Sequence, residues 1–125
     1  MEWTIEYLKE NGIVCVKTYG RISWDENKKM SEEALEVGRK NGVRKFLVDH
    51  REMEHGLSIL QVDNLPEMFK QIGVTAEDRV AILFDAASPM SRAFAFFRDT
   101  AFVESLQFRV FTDPAEATEW LESDK

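Results

Sequence analysis

Large apolar and polar side chains alternate through "WTIEYL" at 3–8, and "IVCVKTY" at 13–19 is rich in β-branched and aromatic residues. With Asn11-Gly12 between them, the two runs predict a β-hairpin. Past Gly20, Ser23-Trp24-Asp25-Glu26 has the Ser-x-x-Glu spacing of a capping box, in which a serine hydroxyl and a glutamate carboxylate satisfy amides at a helix start. The helix predicted from there runs to about Lys40, with Met30, Ala34 and Val37 on one face and Asn41-Gly42 as a left-handed stop.

"VRKFLVD" at 43–49 is a short apolar run ended by charge, the pattern of a buried strand. Leu60, Leu65, Met68, Phe69 and Ile72 then suggest helix, but Pro66 removes an amide and crowds the preceding turn. Two short helices are expected instead, the second capped by Asn64-x-x-Glu67 and ended by Gly73. "RVAILF" at 79–84 predicts a second buried strand, and "SPMSRAFAFFRDTAFVES" predicts a helix over 88–105 with Pro89 in its first turn. Met90, Phe94, Phe97 and Ala101 make one stripe of that helix, which leaves Phe96, Phe102 and Val103 as apolar surplus. "FRVFTD" at 108–113 is the last predicted strand, and Asp113-Pro114-Ala115-Glu116 opens a final helix carrying Ala117, Trp120 and Leu121. The order ββαβαβαβα predicts an α/β fold: a mixed, mostly parallel sheet with right-handed crossovers and helices packed on it, in a single domain over 1–125.

Composition narrows the function classes. The chain has 125 residues, 44% hydrophobic and 31% charged, enough for one core without disulfides or metal. No apolar run reaches the roughly 20 residues of a membrane helix, and "MEWTIEYLKENG" has neither the basic start nor the apolar stretch of a signal peptide, so a cytoplasmic location is expected. The net charge of -7 repels phosphate backbones, and Lys28-Lys29 and Arg44-Lys45 are isolated pairs rather than a basic patch; nucleic acid is not an expected partner. Cys15, the single cysteine, lies in "IVCVK" and is expected to act as a small strand hydrophobe.

Candidate chemistry concentrates in "VDHREMEHGLS" at 48–58. His50 and His55 are five apart, not the four that places two imidazoles on one helix face, and no metal site is expected, although a loop could gather them with Asp49 or Glu52. Ser58 with His55 as base and Asp49 as orienting acid has the residue types of a hydrolytic triad, but the Gly-x-Ser-x-Gly elbow is missing, because Ile59-Leu60 follow Ser58. The favoured role of Ser58 is an N-cap to a helix beginning "ILQVDN", a position where the amides also tolerate phosphate or hold an anion. Asp49 ends a parallel strand, where open α/β sheets place ligands; its plainer role is to bond loop amides.

The order of elements, together with "YGRIS", "KFLVDHREM" and "RVFTDPAEATEWLES", resembles the STAS fold of anti-sigma factor antagonists, and more closely its SpoIIAA-like (STAS/SEC14) branch. The resemblance covers nearly the whole chain. It implies that the stretch "DHREMEHGLSIL" corresponds to the loop whose serine, in the sporulation-type proteins, is phosphorylated at a helix start by a partner kinase, and that Ser58 falls within about a residue of that place. The Asp-Ser-Ser-Gly motif of those proteins is absent. The SEC14-like connection implies an apolar, lipid-like ligand.

The expected function is therefore a non-enzymatic regulatory or ligand-binding STAS-like domain without a cofactor. It engages a protein partner or a small apolar or anionic ligand through Asp49, His50, His55 and Ser58 and through Phe96 and Phe102. The alternative is a phosphorylation-controlled antagonist using Ser58. The surplus of Phe96, Phe102 and Val103 fits a pocket lining, a homodimer interface or the underside of a loop.

Overall fold

Five strands and three helices make up the described part of the computed structural model, which comprises residues 2–53, 61, 64–85, 87 and 106–123. They are β1 Glu2–Leu8, β2 Ile13–Gly20, α1 Trp24–Asn41, β3 Lys45–Met53, α2 Leu65–Ile72, β4 Arg79–Leu83, β5 Gln107–Phe111 and α3 Pro114–Glu122. The sheet order is β1-β2-β3-β4-β5; β1 runs antiparallel to β2 and all other pairs are parallel. The mixed, mostly parallel α/β sheet predicted from the sequence is thus present. The predicted helix over 88–105 and the first of the two short helices fall on residues outside the described set, Gln61 excepted.

Local chemistry accounts for the element ends. At the start of α1 the Ser23 hydroxyl accepts from the Glu26 amide at 3.2 Å, and the Glu26 carboxylate accepts from the Ser23 amide at 3.3 Å, completing the capping box. Gly42 stops the helix at φ 66°, a left-handed conformation in which its amide reaches back to the last turn. Asn64 does occupy the cap position of α2, but its backbone is helical (φ -92°, ψ -1°) rather than extended, so its side chain makes no cap hydrogen bond. Pro114 follows Asp113, whose carboxylate accepts from the Ala115 amide at 2.9 Å.

Period-two alternation divides the strand residues between two layers. Val14, Val16, Phe46, Val80, Ile82, Phe84 and Phe108 pack with Met30, Ala34 and Leu35 of α1 and with Leu65, Met68 and Phe69 of α2. Ile13 and Ala81 face the other way and meet Ala117 and Leu121 of α3, with Leu47, Phe111 and Trp120 around them. The buried line of α1 is Asn27, Met30, Ala34, Leu35 and Gly38, while Val37 sits at its half-buried margin.

Two arginine clusters, neither apparent in the sequence, fasten the amino ends of the central strands. The fully buried Asp78 carboxylate accepts from Arg39 at 2.8 and 2.7 Å, from the Thr75 amide at 2.8 Å and from Arg44 at 3.5 Å. Burial works to raise this carboxyl, but the Arg39 and Thr75 hydrogen bonds and the arginine charges outweigh it and hold the group below the usual range. Arg79 donates to the Gln107 side chain, the Trp120 and Ser123 carbonyls and the Ser123 hydroxyl, which ties β4 to α3.

Gly38 gives the packing its sharpest test. A Cβ there would lie 2.6 Å from Cζ of the buried Phe46 ring and 2.9 Å from the Val43 carbonyl oxygen. Helix propensity alone favours alanine by about 1 kcal/mol, but overpacking a closed core costs about 1–3 kcal/mol. Gly38→Ala is therefore expected to lower the urea midpoint of unfolding; an increase would show that α1 does not approach β3 this closely.

Candidate functional site

The described part of the stretch that carries the candidate chemistry is strand as far as Met53. β3 does not end at Asp49: it continues through His50, Arg51 and Glu52 to Met53, alongside β2 as far as Gly20. Lys17 pairs with Asp49 and Tyr19 with Glu52, so one residue of β2, Thr18, stands opposite two of β3, His50 and Arg51. This bulge lets a charged segment remain in the ladder and re-aims its side chains.

Successive strand residues point to opposite faces, so Asp49 and His50 do not converge. His50 turns to the layer of α1 and α2, where it is 6% exposed and packs on Phe84 with ring centroids 5.4 Å apart. Its Nδ1 lies 2.7 Å from the Thr18 hydroxyl oxygen, and that hydroxyl donates to the Asp49 carbonyl at 3.4 Å. Thr18 itself is fully buried. Burial penalises the imidazolium and lowers the His50 pKa from 6.5 to about 4, while the Asp49 charge pulls weakly the other way.

Asp49 faces the same side as Leu47 and Ala81 and is bound by its neighbour two residues on. Its carboxylate accepts from Arg51 Nε at 3.0 Å, Arg51 Nη2 at 2.8 Å and the Arg51 amide at 3.0 Å. Burial raises this carboxyl, but the Arg51 hydrogen bonds and the Arg51 and Lys17 charges prevail and keep it below the ordinary range. Half-buried Cys15 lies on this side too; burial first, and then the Asp49 charge, push its thiol up, away from the thiolate form a nucleophile needs.

The arrangement corrects one expectation. Asp49 bonds the amide of a residue within its own strand rather than a loop amide. Among the described residues no group of three His, Cys, Asp or Glu side chains is placed to hold a metal ion. His55, Ser58, Phe96 and Phe102 lie outside the described residues. Thr18 is the site residue that sequence reasoning missed, though a signal existed: it continues the inward series Val14, Val16, and an inward hydroxyl requires a buried polar partner.

No family model matches this chain, and no curated protein does. Its fold is matched by solved structures. An anti-sigma factor antagonist from Mycobacterium paratuberculosis aligns with a TM-score of 0.62 at 11% identity, over 98% of this chain and 96% of that one. The anti-sigma factor antagonist SpoIIAA in its unphosphorylated form aligns at 0.55 and 12% identity, over 98% and 99%. A DUF3478-family protein with a SpoIIAA-like fold from Shewanella loihica aligns at 0.57 and 20% identity, over 96% and 92%. The chain has the SpoIIAA-like, STAS-type fold.

His50 gives this site a measurable pH signature. Its folded pKa lies below its unfolded value, so unfolding takes up a proton; the stabilisation is complete above pH 6.5 and is lost as pH falls from 6.5 towards 4. Asp49 and Asp78 lose theirs only lower, as pH falls through the carboxylate range. Between pH 7 and pH 5 the His50 effect amounts to about 2 kcal/mol. Urea unfolding at the two pH values should show this difference in the wild type and a much smaller one in His50→Gln; an unchanged difference in the variant would place the imidazole in water.

Proposed function

We propose that this chain is a non-enzymatic regulatory domain of the STAS type that binds a protein partner at the carboxyl end of β3 and the segment after it. The observation that carries the proposal is the correspondence with two anti-sigma factor antagonists over nearly the full length of all three chains. The site chemistry supports it. The base and the acid at this end of the sheet, and the thiol on the Asp49 face, are engaged or suppressed: His50 is neutral and held by Thr18, Asp49 is held by Arg51, and the Cys15 thiol is pushed up. Such a set builds a fixed surface rather than a proton-transfer relay.

A phosphorylation switch at Ser58 is the second reading. One of the matched antagonists is described in its unphosphorylated form, so modification state is a variable of that protein. Ser58 follows β3 by five residues.

Light scattering of the purified chain mixed with anti-sigma factors from its own genome tests both. The regulatory reading predicts a stable complex with one of them, and the switch predicts that Ser58→Asp abolishes the complex while Ser58→Ala preserves it. Failure with every candidate, together with a small molecule retained at near-equal amount in native mass spectrometry, would replace the protein partner with a lipid-like or anionic ligand.

A further inference from the structure

The structure points to a second interaction surface, at the β1 margin of the sheet. We infer that β1 accepts an added strand from a partner segment in which basic and apolar residues alternate. The inference does not rest on the proposed function, because it concerns the sheet margin and not the carboxyl end of β3.

Among the described residues β1 ends the five-stranded sheet and pairs with β2 alone. An edge strand presents outward N–H and C=O groups to any extended chain that meets it. The two faces of β1 differ sharply. Glu2, Thr4 and Glu6 are exposed on one, while Trp3, Ile5 and Tyr7 on the other are half-buried against the main core. An added strand would extend that core with its apolar residues and set its remaining side chains beside Glu2 and Glu6. A third acid stands on the apolar side, where the Glu33 carboxylate accepts from Trp3 Nε1 at 3.1 Å.

This charge pattern selects the occupant. A second copy of the chain is disfavoured: antiparallel pairing about Thr4 sets each Glu2 opposite the Glu6 of the other copy, and pairing about Ile5 makes the two Glu6 side chains diagonal neighbours. Like charges across a ladder are destabilising, and opposite charges are favourable. A strand with Lys or Arg beside Glu2 and Glu6 meets both requirements.

The probes are short synthetic peptides. One alternates arginine and valine, one alternates glutamate and valine, and one repeats the first sequence with its alternate amides methylated. Amide hydrogen exchange of the full chain should show that the arginine–valine peptide protects β1, that the other two do not, and that Glu2→Lys/Glu6→Lys weakens binding about tenfold. The thermal midpoint of the variant without peptide confirms that it remains folded. Equal binding of the arginine and glutamate peptides, binding of the methylated peptide, protection elsewhere than β1, or no protection at all would each overturn the inference. Concentration-dependent protection of β1 without peptide would assign the edge to a second copy and overturn it equally.

Discussion

The pairing of β2 with β3 is the constraint on which the rest of the structure depends. β3 is the middle strand, with helices packed against both of its faces, so any shift in its register would exchange core and surface side chains. Up to Asp49 the pairing is regular, and Val14, Val16, Phe46 and Val48 stay in one layer. The bulge opposite Thr18 then lets β3 carry His50 inward and Asp49 and Arg51 outward. The buried imidazole has a hydroxyl partner, and the carboxylate has a guanidinium partner. Both polar groups that enter the sheet are satisfied, which a buried polar group requires.

The two ends of the sheet use related devices for different purposes. At the amino end Asp78 is fully buried, and Arg39 from the last turn of α1 reaches it, so the ion pair fixes helix to sheet. Arg44 joins at longer range. At the carboxyl end the Asp49–Arg51 pair forms within one strand, and the Arg51 side chain is 41% exposed. It bridges no elements. It shapes a surface, at the end where open α/β sheets meet their ligands.

Much of this was legible in the sequence, for reasons that stay local. The Ser23–Glu26 box, Gly42 and the Asp113-Pro114 pair are short-range signals whose geometry depends little on the rest of the fold, and each marks an observed helix boundary. Alternation in the hairpin worked for the same reason. The extent of β3 was not legible, because "HREM" has the composition of a loop and only the ladder offered by β2 keeps it extended. The same stretch placed Asp49 and His50 side by side, where adjacency suggests cooperation; strand geometry sends them to opposite faces. Asp78 sits in "AEDRV", which reads as solvated charge until α1 folds against it. Of the candidate site, Asp49 and His50 lie within the described residues, and each is held by a hydrogen-bond partner, Arg51 for the first and Thr18 for the second.

The histidine near the end of β3 is a neutral, hydrogen-bonded group rather than a working base. Following the His50 ring resonances by NMR as a function of pH tests it directly. The ring is expected to stay neutral through pH 6 and to titrate at about 4. A midpoint near 6.5, the ordinary value of a solvated imidazole, would contradict the buried, neutral state and leave His50 available as a base.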